Sequence, residues 1–189
     1  TFKRETFSSY PDDVTVTHLT KKGNKTLDFT LWNSLTEDLL ANGDYSWEYS
    51  NYKNGHVTTD KHGILLKGTV KDNGLKFASY LGIKTDGTVT VQNETLTVTG
   101  ASYATLYLSA KTNFAQNPKT NYRKDIDLEN TVKSIVEAAK AKDYETLKNN
   151  HIEDYQSLFN RVQLNLGGSK STQTTKEALQ TYNPEKGQE

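Results

Sequence analysis

The sequence predicts a mainly β protein, an antiparallel β-sandwich, followed by a C-terminal helical segment. Three observations predict it. Short runs of alternating apolar residues and threonines recur at near-regular spacing through Ala110. Turn signals, Asp72-Asn73-Gly74 and Asp86-Gly87 among them, separate the runs. Near Pro118 the apolar period changes from two to that of a helix.

The elements follow in order. "DVTVTHLT" (Asp13 to Thr20) sets Val14, Val16 and His18 against threonines, and "TLDFTLWN" puts Leu27, Phe29 and Leu31 on one face. "GILLKGTV", "LKFASYLGI", "GTVTVQNETLTVTG" and "YATLYLSA" continue the strands. Nothing resembles a repeated βα unit, which argues against a Rossmann-type or barrel enzyme. Beyond Pro118, Val132, Ile135, Val136 and Ala139 stand at helical spacing with Asp127 as N-cap. Tyr144, Leu147, His151, Tyr155, Leu158, Phe159 and Val162 form a second stripe, with Asp143 as its cap. So short a break predicts an antiparallel hairpin or a kinked pair packed on the sheet. "VQLNL" then alternates as a short strand before a Gly167-Gly168 turn, and a polar tail carries a short helix around Thr175 to Tyr182. The expected division is a β-sandwich over residues 1–122 and a helical linker over 123–189.

Composition narrows the function classes. The 189 residues are 33% hydrophobic, with 11 tyrosines and 6 phenylalanines supplying buried area in place of aliphatic side chains, as suits a Thr/Tyr-rich β protein. Zero formal net charge argues against a nucleic-acid footprint or an anionic-membrane patch. No apolar run reaches the length of a membrane span, and no signal peptide opens the chain. Without cysteine there is no disulfide, thiolate metal site or cysteine nucleophile. The missing initial methionine is expected of a processed protein or, by preference, an excised piece.

Candidate sites are few. His151 lies on an apolar helical stripe, where a histidine packs in a core or interface. His18, His56 and His62 stand at no ligand spacing, so neither a metal nor a cofactor is expected. The pairs Asp12-Asp13, Glu37-Asp38 and Glu153-Asp154 read as solvated charges or caps, because sequence neighbours do not face one another across a cleft. No nucleophile elbow and no phosphate-binding glycine loop occurs. Arg161 sits where a cation favours a helix C-terminus and is also placed to pair with Asp154 or a neighbouring domain. Tyr45, Trp47, Tyr49 and Tyr52 crowd a polar stretch, either as a hairpin with alternating aromatics or as faces that stack on sugar rings. Asn24-Lys25-Thr26 and Asn93-Glu94-Thr95 fit the glycosylation sequon, which is common by chance.

Three stretches carry a resemblance. "FKRETFSSYPDDVTVTHLT", "VTGASYATLYLSAKTNF" and, most specifically, "HIEDYQSLFNRVQLNLGGS" resemble the N-terminal region of glycoside hydrolase family 95, the α-L-fucosidase family. "TTKEAL" at 174–179 is similar to another family segment, although Lys176 and Ala178 depart from it. The resemblance implies part of a β super-sandwich and a helical linker leading towards an (α/α)6 barrel that holds the carboxylates of an inverting hydrolysis. It implies no catalytic residue here. It makes His151, Asp154, Tyr155, Phe159 and Arg161 interdomain linker contacts, and Tyr45, Trp47, Tyr49 and Tyr52 a sugar-contacting rim. The partners it implies are the parent's own barrel and fucosylated glycans, in a secreted or cell-surface bacterial enzyme. The other reading left open is a stand-alone carbohydrate-binding or adhesin-like β module.

Overall fold

The computed structural model describes residues 1–33, 53–165 and 172–183. The aromatic cluster Tyr45, Trp47, Tyr49 and Tyr52, the pair Glu37-Asp38 and Gly167-Gly168 lie outside the described residues. Nine strands are described: β1 (Phe2–Ser9), β2 (Val14–Lys21), β3 (Leu27–Leu31), β4 (Lys53–Asp60), β5 (Gly63–Val70), β6 (Lys76–Thr85), β7 (Thr88–Gln92), β8 (Thr95–Ala101) and β9 (Tyr103–Thr112). They form a six-stranded sheet, ordered β1-β2-β9-β6-β5-β4, and a three-stranded sheet, β3-β8-β7. Every pairing is antiparallel, as expected. Helices α1 (Leu128–Lys140), α2 (Tyr144–Phe159) and α3 (Thr175–Thr181) follow. The chain divides into two compact units, Thr1–Tyr155 and Gln156–Glu189.

In the first unit the six-stranded sheet is buried on both faces. Val14, Val16, Leu65, Ala78, Tyr80 and Tyr107 pack against Leu128, Val132, Val136 and Ala139 of α1 and Leu147 of α2. On the opposite face, Val57, Ile64 and Ile83 pack against Leu27, Leu96, Val98 and Ala101 around the small sheet. Adjacent Ile64 and Leu65 thus serve different cores, which is why β5 opens on a continuous apolar run instead of an alternation. Each large side chain so buried contributes roughly 1.5–3 kcal/mol.

α1 starts where its sequence says. The Asp127 carboxylate accepts the Asn130 N–H at 3.0 Å, and the fully buried Val132 and Val136 stand one helical turn apart. Gly82 in β6 lets the helix come close, since a Cβ there would stand 2.5 Å from Val136 Cγ1.

Three expectations change. β1 and β4 are strands where the sequence showed no apolar alternation. β1 is an edge strand, most of whose residues are exposed, and β4 is tied to β5 by a tight turn in which Asp60 accepts the N–H groups of His62 and Gly63. Val162–Asn165 are not a strand. No partner strand pairs with them among the described residues, and alternation alone, without a ladder, does not hold an extended segment. Asp12 is not a solvated charge, for its side chain is only 2% exposed.

Candidate interdomain junction

The linker contacts expected from the sequence divide within α2, between Tyr155 and Phe159. Its first turns belong to the unit that contains the sheets and are fixed to β1 and β2 by paired charges and stacked rings. Asp143 caps the helix, accepting the Thr146 N–H and hydroxyl at 2.8 Å each. Immediately before it, Lys142 donates to Asp12 in the β1–β2 turn, and the same carboxylate accepts from Ser9 at 2.6 Å and Asn150 at 3.4 Å. Burial pushes the Asp12 carboxyl up, but the hydrogen bonds from Lys142, Ser9 and Asn150 outweigh it, and its pKa lies below the ordinary value. One turn further, Lys148 meets Glu5 at 2.9 Å, while Lys3 holds the other oxygen at 2.7 Å. Hydrogen bonds from Lys3 and Lys148 bring Glu5 down to about 2.

Between these ion pairs runs a column of rings. His18 stacks on Tyr144 with centroids 4.1 Å apart, Phe7 tilts against Tyr144 at 6.0 Å, and His151 stacks on Phe7 at 5.2 Å. His151 therefore lies in a ring stack, half-buried, as an interface histidine should. Tyr155 closes the column, tilted against His151 at 6.1 Å. His18 is anchored through Nδ1 to the Thr105 hydroxyl at 2.7 Å. Burial lowers its pKa; the charges of Glu5 and Glu145 oppose this, and those of Lys3 and Lys148 add to it. The Tyr144 hydroxyl is buried with no hydrogen-bond partner among the described residues, and burial, then the nearby Glu5 charge, raise its pKa.

The second half of the expected contact set is in a different state. Leu158 is 57% and Phe159 64% exposed. In the second unit Arg161 donates from Nε to the Ser157 carbonyl at 2.8 Å, the helix-terminal role its position suggested. α3 opens with a capping box between Thr174 and Glu177.

Sequence reasoning passed over Glu5 and Phe7 and gave Asp12 and His18 no part in the junction. The signal available was the seven-residue spacing of Tyr144 and His151, two turns on one face, which calls for aromatic partners on the sheet. Their identity depended on pairing β1, itself unseen.

At the junction Glu5 and Asp12 are held by lysines, His18 and His151 face rings, and among the described residues no three His, Asp or Glu side chains gather to hold a metal. Among those residues, too, no helix is long and apolar enough to cross a membrane.

Comparison with known proteins relates the chain to glycoside hydrolases. The family described as glycosyl hydrolase family 65, N-terminal domain, matches residues 1–117, and the glycosyl hydrolase family 95 catalytic domain matches residues 143–189. Alpha-L-fucosidase 2 of Arabidopsis thaliana is 27% identical over 192 residues, an alignment that covers 95% of this chain. The chain spans 22% of that protein's length. The family 95 resemblance is thus borne out, with the β portion matching a model that carries the family 65 name. The chain belongs to the glycosyl hydrolase family 65 N-terminal domain family, joined to family 95 catalytic-domain sequence.

Proposed function

We propose that this chain is the non-catalytic sandwich and linker of an α-L-fucosidase-like glycoside hydrolase, which fixes the approach to a catalytic barrel. The observation that carries the reading is the division of α2. The family 95 match begins at residue 143, where the helix is pinned to the sheet, and the apolar stripe then runs on into exposed Leu158 and Phe159. A stripe held at one end and uncovered at the other suits a surface that another domain of the same polypeptide covers. On this reading His151, Asp154, Tyr155, Phe159 and Arg161 serve the junction, and Tyr45, Trp47, Tyr49 and Tyr52 border the sugar site. Secretion fits a substrate class, fucosylated glycans, that is displayed outside cells.

The test is fucose release from 2′-fucosyllactose by the full-length enzyme, followed by NMR. An inverting enzyme yields β-L-fucose as first product. No release, or α-L-fucose first, overturns the assignment. Trp47→Ala in that enzyme should raise KM with kcat little changed; unchanged kinetics would remove the rim role.

A further inference from the structure

Outside the junction, the loop after β9 carries the other marked feature of the surface. We propose that Phe114 and Tyr122 form a sugar-binding platform that takes a galacto-configured pyranose by its C–H face. The two rings are parallel within 2°, with centroids 6.3 Å apart, and stand 51% and 45% exposed. Parallel rings at this separation overlap little, so they form a stepped aromatic shelf and leave ring face open to a ligand.

The backbone beneath is strained in order to present the shelf. Asn121 and Tyr122 both have positive φ, 51° and 57°, and the Arg123 N–H donates to the Thr120 carbonyl at 3.0 Å. That is a β-turn with two left-handed central residues, whose second position favours glycine, yet a tyrosine occupies it. The turn is immobilised from several sides. Ala115 N–H donates to the Tyr122 carbonyl and Tyr122 N–H to the Asn117 carbonyl, each at 3.0 Å, while Arg123 Nη2 reaches the Asn73 carbonyl at 2.8 Å. Binding on so rigid a support costs little ordering entropy.

An exposed aromatic face in a loop rich in amides suits an amphipathic ligand. Gln116 and Asn121 are exposed in the same loop and offer donors and acceptors to hydroxyl groups. The patch is too small for a protein core contact. An axial 4-hydroxyl gathers C3–H, C4–H and C5–H on one side of a pyranose, which gives galactose and fucose an apolar face that glucose lacks. The inference rests on the glycosidase reading only for the choice of sugar.

The experiment titrates the full chain with lactose and with cellobiose, which differ in configuration at one carbon of the non-reducing sugar, using saturation-transfer NMR and calorimetry. Lactose should bind saturably, with transfer strongest to H3, H4 and H5 of galactose, and cellobiose about tenfold more weakly. Phe114→Ala and Tyr122→Gly should each weaken lactose by about tenfold or more. Tyr122→Gly should melt no lower than the parent, since glycine relieves the left-handed backbone; should it unfold, Phe114→Ala alone decides. Absence of saturation, equal affinity for both disaccharides, or binding indifferent to the substitutions overturns the proposal. Neither probe contains a fucosyl bond, so failure here is separable from failure of fucose release by the parent.

Discussion

Asp12 and Asp13 are sequence neighbours in very different settings. Asp13, with φ of 54°, reaches Lys111 at 2.5 Å on a half-exposed side chain, whereas Asp12 points inward to Lys142, Ser9 and Asn150. Replacing Asp12 with alanine should cost about 1–3 kcal/mol by denaturant titration, less than a fully buried pair because Lys142 remains 44% exposed. His18 sets a pH dependence. Its folded pKa is depressed, so the unfolded chain takes up the proton first. Stability is full above the ordinary value of 6.5 and falls as pH drops below it, until the folded form protonates too. Glu5 adds a second, lower step: its contribution is present above its ordinary 4.5 and is lost as pH falls towards about 2. Melting temperature against pH should show both steps, and His18→Gln should remove only the upper one. These residues were hidden in the sequence because charge and ring type do not reveal which partner a fold supplies.

At the scale of elements, legibility followed burial. β2, β3, β5 to β9 and α1 carry apolar periodicity because a core selects it, and each was readable. β1 is selected instead for Glu5 and Phe7, which face α2, and for threonine and serine hydroxyls that pair with β2, so no period of two in hydrophobicity marks it. Val162 and Leu164 show the converse, a strand-like alternation with no neighbouring strand to pair with among the described residues. The approach of α1 to β6 makes Gly82 intolerant of enlargement. Gly82→Val should lower stability by about 1–3 kcal/mol through overpacking against Val136, measured as a shift in denaturation midpoint at unchanged slope. An unshifted midpoint would mean that the helix sits farther from the sheet.

At the scale of the molecule, the exposed stripe gives a solution prediction. On the proposed reading, Leu158→Asp should leave the melting of the isolated chain within about 0.5 kcal/mol of the parent, yet weaken or abolish fucose release by the full-length protein. Equal loss of stability in the isolated chain would show that the stripe serves this chain's own packing. The strand order has a further consequence, for synthesis. β2 pairs on one side with β1 and on the other only with β9, in a register that joins Thr15 to Leu108. A ribosome must therefore add more than ninety residues before the first hairpin can find its place in the sheet, on the order of 5–20 s of translation. During that wait Val14 and Val16 have no core. The hairpin's dense threonine and serine content, with hydroxyl pairs Thr6–Thr17 and Ser8–Thr15 on its other face, keeps the waiting ribbon soluble while its partner is still being made.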